Sequence, residues 1–77
     1  MSQEFLRIFG RTVRTLRRTQ GWSQEQLAER SALDRSYIGE IERANAVASI
    51  VTANKLARAL NVDLATLLAQ CGDVPAD

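Results

Sequence analysis

The sequence predicts an all-α protein built from five short helices. Apolar residues recur at three- and four-residue intervals, as they do on one face of a helix, and no segment alternates with the period of two that is typical of a strand. Four residues that favour the N-cap position stand directly before such patterns. They are Ser23, Asp34, Ser49 and Asp63. The spacing predicts helices over residues 3–19, 24–31, 35–43, 50–60 and 64–70.

Length and composition indicate one small globular domain. The chain has 77 residues, of which 45% are hydrophobic and 25% are charged. We expect the domain to occupy residues 1–71 and the last residues, 72–77, to form a short flexible tail. No apolar run reaches the roughly 18 residues that a membrane span needs. The first residues lack the apolar stretch of a signal peptide, so we expect a cytoplasmic protein with no membrane partner.

Composition also argues against most active-site chemistry. The chain has no histidine, which is the commonest general base, and its one cysteine, Cys71, cannot form an internal disulfide or complete a zinc site. The glycines stand singly, without a phosphate-binding loop. Glu25 and Glu29 lie four residues apart on a polar helix face, as solvated carboxylates commonly do. We therefore expect neither an enzyme nor a bound metal or cofactor.

Charge is distributed unevenly along the chain, although the formal net charge is only +1. Residues 1–22 carry a local charge of +4, and residues 59–77 carry −3. Nine of the ten basic residues are arginine, the side chain best suited to bidentate contacts with phosphate or guanine. This polarity indicates one basic face, although ordinary solvation of the surface would also account for it.

The first helix, over residues 3–19, has two distinct faces. The inward stripe has a 4-4-3 spacing and consists of Phe5, Phe9, Val13 and Leu16, with Leu6 beside it. The basic face consists of Arg7, Arg11, Arg14 and Arg18. Gly21 can adopt the left-handed conformation of a C-terminal cap, so the helix should end there.

The second and third helices form the strongest pattern in the chain. Only three residues join them, which is the geometry of a helix-turn-helix. Ser23 and Gln26 form a capping-box pattern at the start of the second helix. Ala28 is small where the third helix must approach. Ala32 occupies the turn position where glycine or asparagine would take a positive φ most cheaply, so we expect strain there.

The third helix separates into an apolar side and a polar side when its residues are placed at 100° intervals. The polar side consists of Arg35, Ser36, Gly39, Glu40 and Arg43. Arginine, serine and glycine at a helix N-terminus suit the floor of a DNA major groove. Glycine in a helix interior costs about 1 kcal/mol relative to alanine, so Gly39 indicates either a close approach by a DNA edge or a neutral substitution.

The last two helices are richer in apolar residues than a small core needs. Four residues complete the core: Leu56, Leu60, Val62 and Leu67. Val51, Leu64 and Leu68 remain. They could also be core, or they could form a self-complementary patch across a two-fold axis, and we assign them to a homodimer interface.

Two strings carry a family resemblance that covers roughly residues 5–70. SQEQLAERSALDRSYIGEIER and SIVTANKLARALNVDLATLL resemble the XRE (Cro/phage-repressor type) helix-turn-helix family. The string LDRSYIGEIER and the small size most resemble the controller proteins of restriction–modification systems. The resemblance implies a lambda-repressor-like DNA-binding domain. It further implies a transcriptional regulator that binds a pseudo-palindromic operator in double-stranded DNA as a homodimer, with RNA polymerase as a further candidate partner and no small-molecule ligand.

The resemblance also implies roles for single residues. Gln24 matches a glutamine that touches the backbone and edge of the site. Arg35 and Ser36 match positions that read bases, whereas the hydroxyl of Tyr37 matches a phosphate contact. Arg43 matches a further backbone or minor-groove contact. A structural ion pair is implied between Arg17 and Glu42, which we leave out of the DNA-binding set.

Two features depart from the family pattern. The loop after the third helix, residues 44–48, carries no charge and begins with alanine where a cap glycine is common. We expect Asn45 to supply the left-handed turn there, together with one phosphate contact. Glu40 would repel phosphate if it lay near the DNA backbone, but it could accept a hydrogen bond from a cytosine amino group.

Two rival functions share this fold. An antitoxin-like module would use the apolar end of the chain to bind another protein, although only GDVPAD follows the predicted domain. A small prophage-type repressor would differ in its biological role rather than in its chemistry.

Overall fold

Five helices make up the structure, a computed structural model that describes residues 3–72. Their bounds are α1 (Gln3–Thr19), α2 (Gln24–Ser31), α3 (Arg35–Glu42), α4 (Ile50–Ala59) and α5 (Leu64–Gln70). Within residues 3–72 there is no strand, so the all-α prediction is confirmed. Helices α3 and α4 end one residue earlier than expected, because Arg43 and Leu60 are their C-caps. Of the tail expected at 72–77, all but Gly72 lies outside the described residues.

All four predicted N-cap residues cap the first turns of their helices. The hydroxyl of Ser23 accepts from the backbone N–H of Gln26 at 3.1 Å, and the side chain of Gln26 accepts from the N–H of Ser23 at 2.8 Å. This is the predicted capping box. Asp34 caps α3 by accepting from the N–H of Ser36. Asp63 accepts from the N–H of Thr66 at 2.7 Å, and this bond lowers the pKa of its carboxyl group.

One apolar core receives a face from each helix. Its fully buried large side chains are Val13, Leu27, Ile38, Ile41, Leu56 and Leu67. Phe9 is also buried, whereas Phe5 and Leu16 pack at the margin of the core. The predicted inward stripe of α1 is thus confirmed. Because Ile38 and Ile41 anchor one side of α3, the opposite side of that helix is turned outward.

Close packing between α1 and α3 depends on Gly10. This glycine is buried, and a Cβ atom there would overlap the carbonyl oxygen of Ile41 and lie 3.0 Å from that of Glu42. The backbone of α1 therefore rests directly on the last turn of α3. Within the helix-turn-helix, α2 packs against α3, and it also packs against α4.

Helices α1 to α4 end in the same way. At each end a left-handed residue is followed by a backbone N–H that bonds back to the carbonyl five residues earlier. The left-handed residues are Gly21, Ala32, Ala44 and Asn61, with φ between 58° and 78°. The closing bonds run from Trp22 to Arg17, Leu33 to Ala28, Asn45 to Glu40 and Val62 to Ala57, at 2.8–3.2 Å. The left-handed conformation expected of Ala32 is confirmed.

The expectation that Asn45 supplies the left-handed turn after α3 is wrong. The left-handed residue is Ala44, with φ 62°. The N–H of Asn45 bonds to the carbonyl of Glu40 at 2.8 Å, and that of Ala44 bonds to Ile41 at 3.0 Å. These two bonds are the pair of a Schellman motif, in which the longer bond comes from the residue after the left-handed one, so the left-handed residue is the one before Asn45.

Candidate nucleic-acid interface

The first turn of α3 presents two side chains to solvent. Arg35 and Ser36 are exposed, and no other described residue engages either side chain. The N-cap Asp34 fixes the helix start by accepting from the N–H of Ser36 at 3.0 Å. Because Ile38 and Ile41 are buried behind them, the two side chains project from a rigidly placed helix end. An arginine fork and a hydroxyl placed in this way can hydrogen-bond the edges of bases.

Further along α3, two side chains of the outward side form an ion pair with each other. The guanidinium of Arg43 donates to a carboxylate oxygen of Glu40 at 2.8 Å, and both side chains are about half exposed. A Cβ atom on Gly39 would lie 3.1 Å from Nη1 of Arg43 and 3.6 Å from Oε1 of Gln24. Gly39 is therefore buried by flexible side-chain ends rather than by backbone. The packing of the protein itself does not require a glycine there.

A buried carboxylate ties three helices together beside this surface. Glu42, with no exposed side-chain area, accepts from Nε of Arg17 at 2.7 Å and from Nη2 of Arg17 at 3.0 Å. The amide nitrogen of Gln24 donates to the same carboxylate at 3.1 Å. The third arginine nitrogen, Nη1, donates to the carbonyl of Trp22 at 2.8 Å. The geometry has the ion pair that the resemblance implied for Arg17 and Glu42.

The electrostatics of this cluster favour the ionised carboxylate. Burial alone raises the pKa of Glu42, but hydrogen bonds from Arg17 and Gln24 and the nearby positive charges outweigh burial, so the pKa lies below its usual range. The hydrogen bond to Glu42 in turn raises the pKa of Arg17. Gln24 is thereby held in one orientation, with its amide oxygen near Gly39 at the edge of the outward face.

Arg14 belongs to the same cluster, which the sequence did not indicate. Its Nε lies 3.6 Å from the Glu42 carboxylate, and 43% of its side chain is exposed. Because Arg17 already provides two bonds to that carboxylate, the cluster keeps one net positive charge, and Arg14 carries it to the surface. The spacing of three residues between Arg14 and Arg17 was the available signal, since it places both on one face of α1.

Tyr37 is placed differently from what a free phosphate contact would need. Its ring packs against the core, and its hydroxyl donates to the carbonyl of Val47 at 3.1 Å. A phenol has one proton to donate, so a phosphate contact would require release of the Val47 bond. Asn45 is exposed in the same loop. The phosphate contacts expected of Tyr37 and Asn45 stay predictions.

An apolar surface lies on the part of the molecule formed by α4 and α5. Val51 is 62% exposed and Leu68 is 41% exposed, whereas Leu64 is half-buried against the core. Ile50, which the sequence did not single out, is 72% exposed. A hollow of about 230 Å³ lies between these helices and α1, and its lining residues include Phe9, Ala53 and Leu64.

No group of three or more histidine, cysteine, aspartate or glutamate side chains in residues 3–72 is placed to hold a metal ion. No helix in that range is long and apolar enough to cross a membrane.

Comparison with known proteins gives consistent matches. A family profile described as a helix-turn-helix domain matches residues 8–70. Control protein C.SmaI of Serratia marcescens is 43% identical over 65 residues, which are 84% of this chain and 77% of that protein. The restriction-modification controller protein C.AhdI from Aeromonas hydrophila is 47% identical, covers 80% of this chain and 94% of its own, and superposes with a TM-score of 0.78. The hypothetical transcription factor NHTF from Neisseria is 32% identical, with coverage of 88% and 79% and a TM-score of 0.79.

The matched range contains the whole helix-turn-helix, the buried Arg17–Glu42 pair and the outward face of α3. It also spans most of the chain, and the agreement extends to both sequence and fold. The chain belongs to the XRE-type helix-turn-helix family, and it is similar to the controller proteins of restriction–modification systems.

Proposed function

We propose that this protein is a sequence-specific DNA-binding transcriptional regulator of the restriction–modification controller type, acting in the cytoplasm as a homodimer on a pseudo-palindromic operator. The observation that carries the proposal is the first turn of α3. There Arg35 and Ser36 are exposed and unengaged by the described residues, on a helix whose other side is fixed in the core. The similarity to control protein C.SmaI and to C.AhdI supports the same conclusion. The family is one of DNA-binding regulators rather than of enzymes.

Binding would begin with the phosphate backbone. Arginines of α1 and the N-termini of the motif's helices neutralise phosphates, which gives salt-sensitive affinity for any sequence. Gln24, held by Glu42 at the start of α2, would contact that backbone. Arg14 adds the net charge of the Glu42 cluster at the same place. These contacts would position the domain without reading the sequence.

Sequence would be read by α3 in the major groove. Arg35 can make a bidentate contact with O6 and N7 of guanine, and the hydroxyl of Ser36 can donate to or accept from groups on base edges. Two such helices in a dimer, separated by about 34 Å, would enter successive major grooves on one side of the duplex. RNA polymerase is a further candidate partner for a regulator bound beside a promoter.

The apolar surface of α4 and α5 supports the homodimer. Val51 and Leu68 are exposed, and Ile50 adds a third large apolar side chain beside them. A two-fold axis through this surface would bury it against its own copy. A chain of 77 residues buries only about 60% of its unfolded surface, so further burial in a dimer would add stability that the monomer lacks.

The decisive experiment is selection of bound duplexes from a random DNA pool at roughly 100 mM salt, where non-specific contacts are partly screened. We expect a two-fold symmetric motif with half-sites about 10 bp apart. Sedimentation of the same preparation checks for the dimer. Folded protein that enriches no sequence at micromolar concentration would contradict the proposal. The same fold acting as an antitoxin-like, partner-binding module through the α4–α5 surface would then be favoured.

A further inference from the structure

The outward face of α3 carries two arginines in different states. Arg35 is exposed and no described residue engages it, whereas Arg43 donates to Glu40 at 2.8 Å. Arg43 lies one turn after Gly39, and its guanidinium occupies the space beside the glycine Cα. In the protein without DNA, the far half of this face is therefore neutral, and an arginine side chain covers it.

The cover depends on both neighbouring residues. A Cβ atom at position 39 would lie 3.1 Å from Nη1 of Arg43 and would displace the guanidinium by a few tenths of an ångström, so glycine allows its closest approach to the helix. Glu40 supplies the negative charge that holds it there. Both charged side chains are about half exposed, and ion pairs this exposed are weak enough for a competing partner to open them.

Opening has different consequences on different DNA. On a random sequence the competing partner is a phosphate, which attracts Arg43 but repels the carboxylate of Glu40. On a sequence that offers a cytosine amino group opposite Glu40, the carboxylate gains a donor at the moment when it loses Arg43. Opening the Glu40–Arg43 pair therefore costs binding free energy on every sequence. Only a sequence with a suitable donor opposite Glu40 compensates for that cost.

We propose that Glu40 is a specificity-determining residue that acts through Arg43. On random DNA, Glu40 holds Arg43 over Gly39 and away from phosphates. On the operator, a base replaces Arg43 as the hydrogen-bond donor to Glu40, and Arg43 is released. The proposal rests on the proposed function, since it assigns a task to one residue of the same DNA-binding surface. Its effect is to weaken non-specific binding more than specific binding.

The test measures the dissociation constants of the wild type, Glu40→Gln, Arg43→Gln and the double variant. Each is titrated with the selected operator duplex and with a scrambled duplex of equal length between 50 and 200 mM salt. Glu29→Gln is the matched control, because it makes the same charge change on the outward side of α2. Urea unfolding confirms that each variant is folded.

Release of Arg43 should appear on the scrambled duplex. We expect Glu40→Gln to tighten that binding by about two- to five-fold per protomer. We expect the salt dependence to steepen by about one released ion per protomer, because a freed arginine neutralises one more phosphate. The ratio of operator to scrambled affinity should fall. In the Arg43→Gln background the same change at Glu40 should have little effect on the scrambled duplex.

Two results would overturn the proposal while leaving the proposed function intact. One is an equal gain in affinity from Glu40→Gln with and without Arg43, or from Glu29→Gln, since the effect would then be one of net charge alone. The other is an unchanged scrambled affinity with a loss of operator affinity, which would make Glu40 a direct reader of a base. A wild type that binds both duplexes equally would overturn the proposed function together with this inference.

Discussion

Replacing Glu42 by glutamine should destabilise the protein far more than the same replacement at Glu40. Glu42 has no exposed side-chain area and takes two bonds from Arg17, whose side chain is 10% exposed. Removing one partner of a buried ion pair leaves the other charge uncompensated, at a cost of about 3–5 kcal/mol. Glutamine can still accept one of the arginine bonds, so we expect a loss of about 3 kcal/mol. That is a large part of the roughly 4–12 kcal/mol that a chain of 77 residues commonly has.

Glu40→Gln is the internal control, because Glu40 also pairs with an arginine, lies on the same helix and is 44% exposed. Its loss should cost less than about 1 kcal/mol. Urea unfolding followed by circular dichroism gives both free energies of unfolding, with the slope as a check on two-state behaviour. If Glu42→Gln costs no more than Glu40→Gln, the buried cluster does not hold the helices together as described.

The pH dependence of the same measurement tests the cause. The folded-state pKa of Glu42 is lowered, so the unfolded state binds a proton at higher pH than the folded state does. The stability that Glu42 contributes is therefore fully present above the ordinary carboxyl pKa and is lost as the pH falls through the lowered one. The difference between the wild type and Glu42→Gln should be constant near neutrality and should narrow in acid. A difference that widens in acid would contradict the assigned direction.

Four further substitutions separate structural from DNA-binding roles. Gly10→Ala should destabilise the fold by about 1–3 kcal/mol, because its Cβ would overlap the Ile41 carbonyl, and thermal unfolding would show this. Ala32→Gly should raise the free energy of unfolding by about 0.5–1 kcal/mol by relieving the left-handed alanine, and unchanged stability would argue against strain there. Gly39→Ala should stabilise the helix by up to about 1 kcal/mol but weaken operator binding, whereas an unaltered dissociation constant would mean that DNA does not approach the glycine. Arg35→Ala should cost about 1–3 kcal/mol in operator binding and relax selection at one base position, so a variant that selects the same motif would rule out base reading by Arg35.

Local chemistry made most of the fold predictable. Ser23, Asp34 and Asp63 announce helix starts because an N-cap acts on N–H groups two or three residues away, and nothing distant is needed. The starts of α2, α3 and α5 agree with the sequence for this reason. The first turn of α3 was predictable in the same way, since the cap and the buried Ile38 fix its orientation.

Contacts between helices were less accessible from the sequence. Gly10 looks like an ordinary glycine until α1 is laid on α3, because its partner carbonyl lies more than thirty residues away. Arg14 and Arg18 look alike on the basic face, and only the rotation of α1 brings the first beside Glu42. The prediction of a left-handed Asn45 was wrong because it relied on residue preference, since asparagine tolerates a positive φ better than alanine does. The register of the closing bonds, and not that preference, decides which residue turns.

The way in which the helices end also bears on the DNA. The connections at residues 20–23, 32–34 and 60–63 are short and closed by backbone bonds, and the longer one at 43–49 is tied to α3 by the Tyr37 hydroxyl. Because the connections are short and hydrogen-bonded, α3 cannot shift relative to the rest of the domain to meet a displaced half-site. In the dimer that we propose, a target whose half-sites are spaced wrongly would have to be accommodated by bending or twisting the duplex. Base pairs that no side chain touches would then contribute to selectivity through their stiffness.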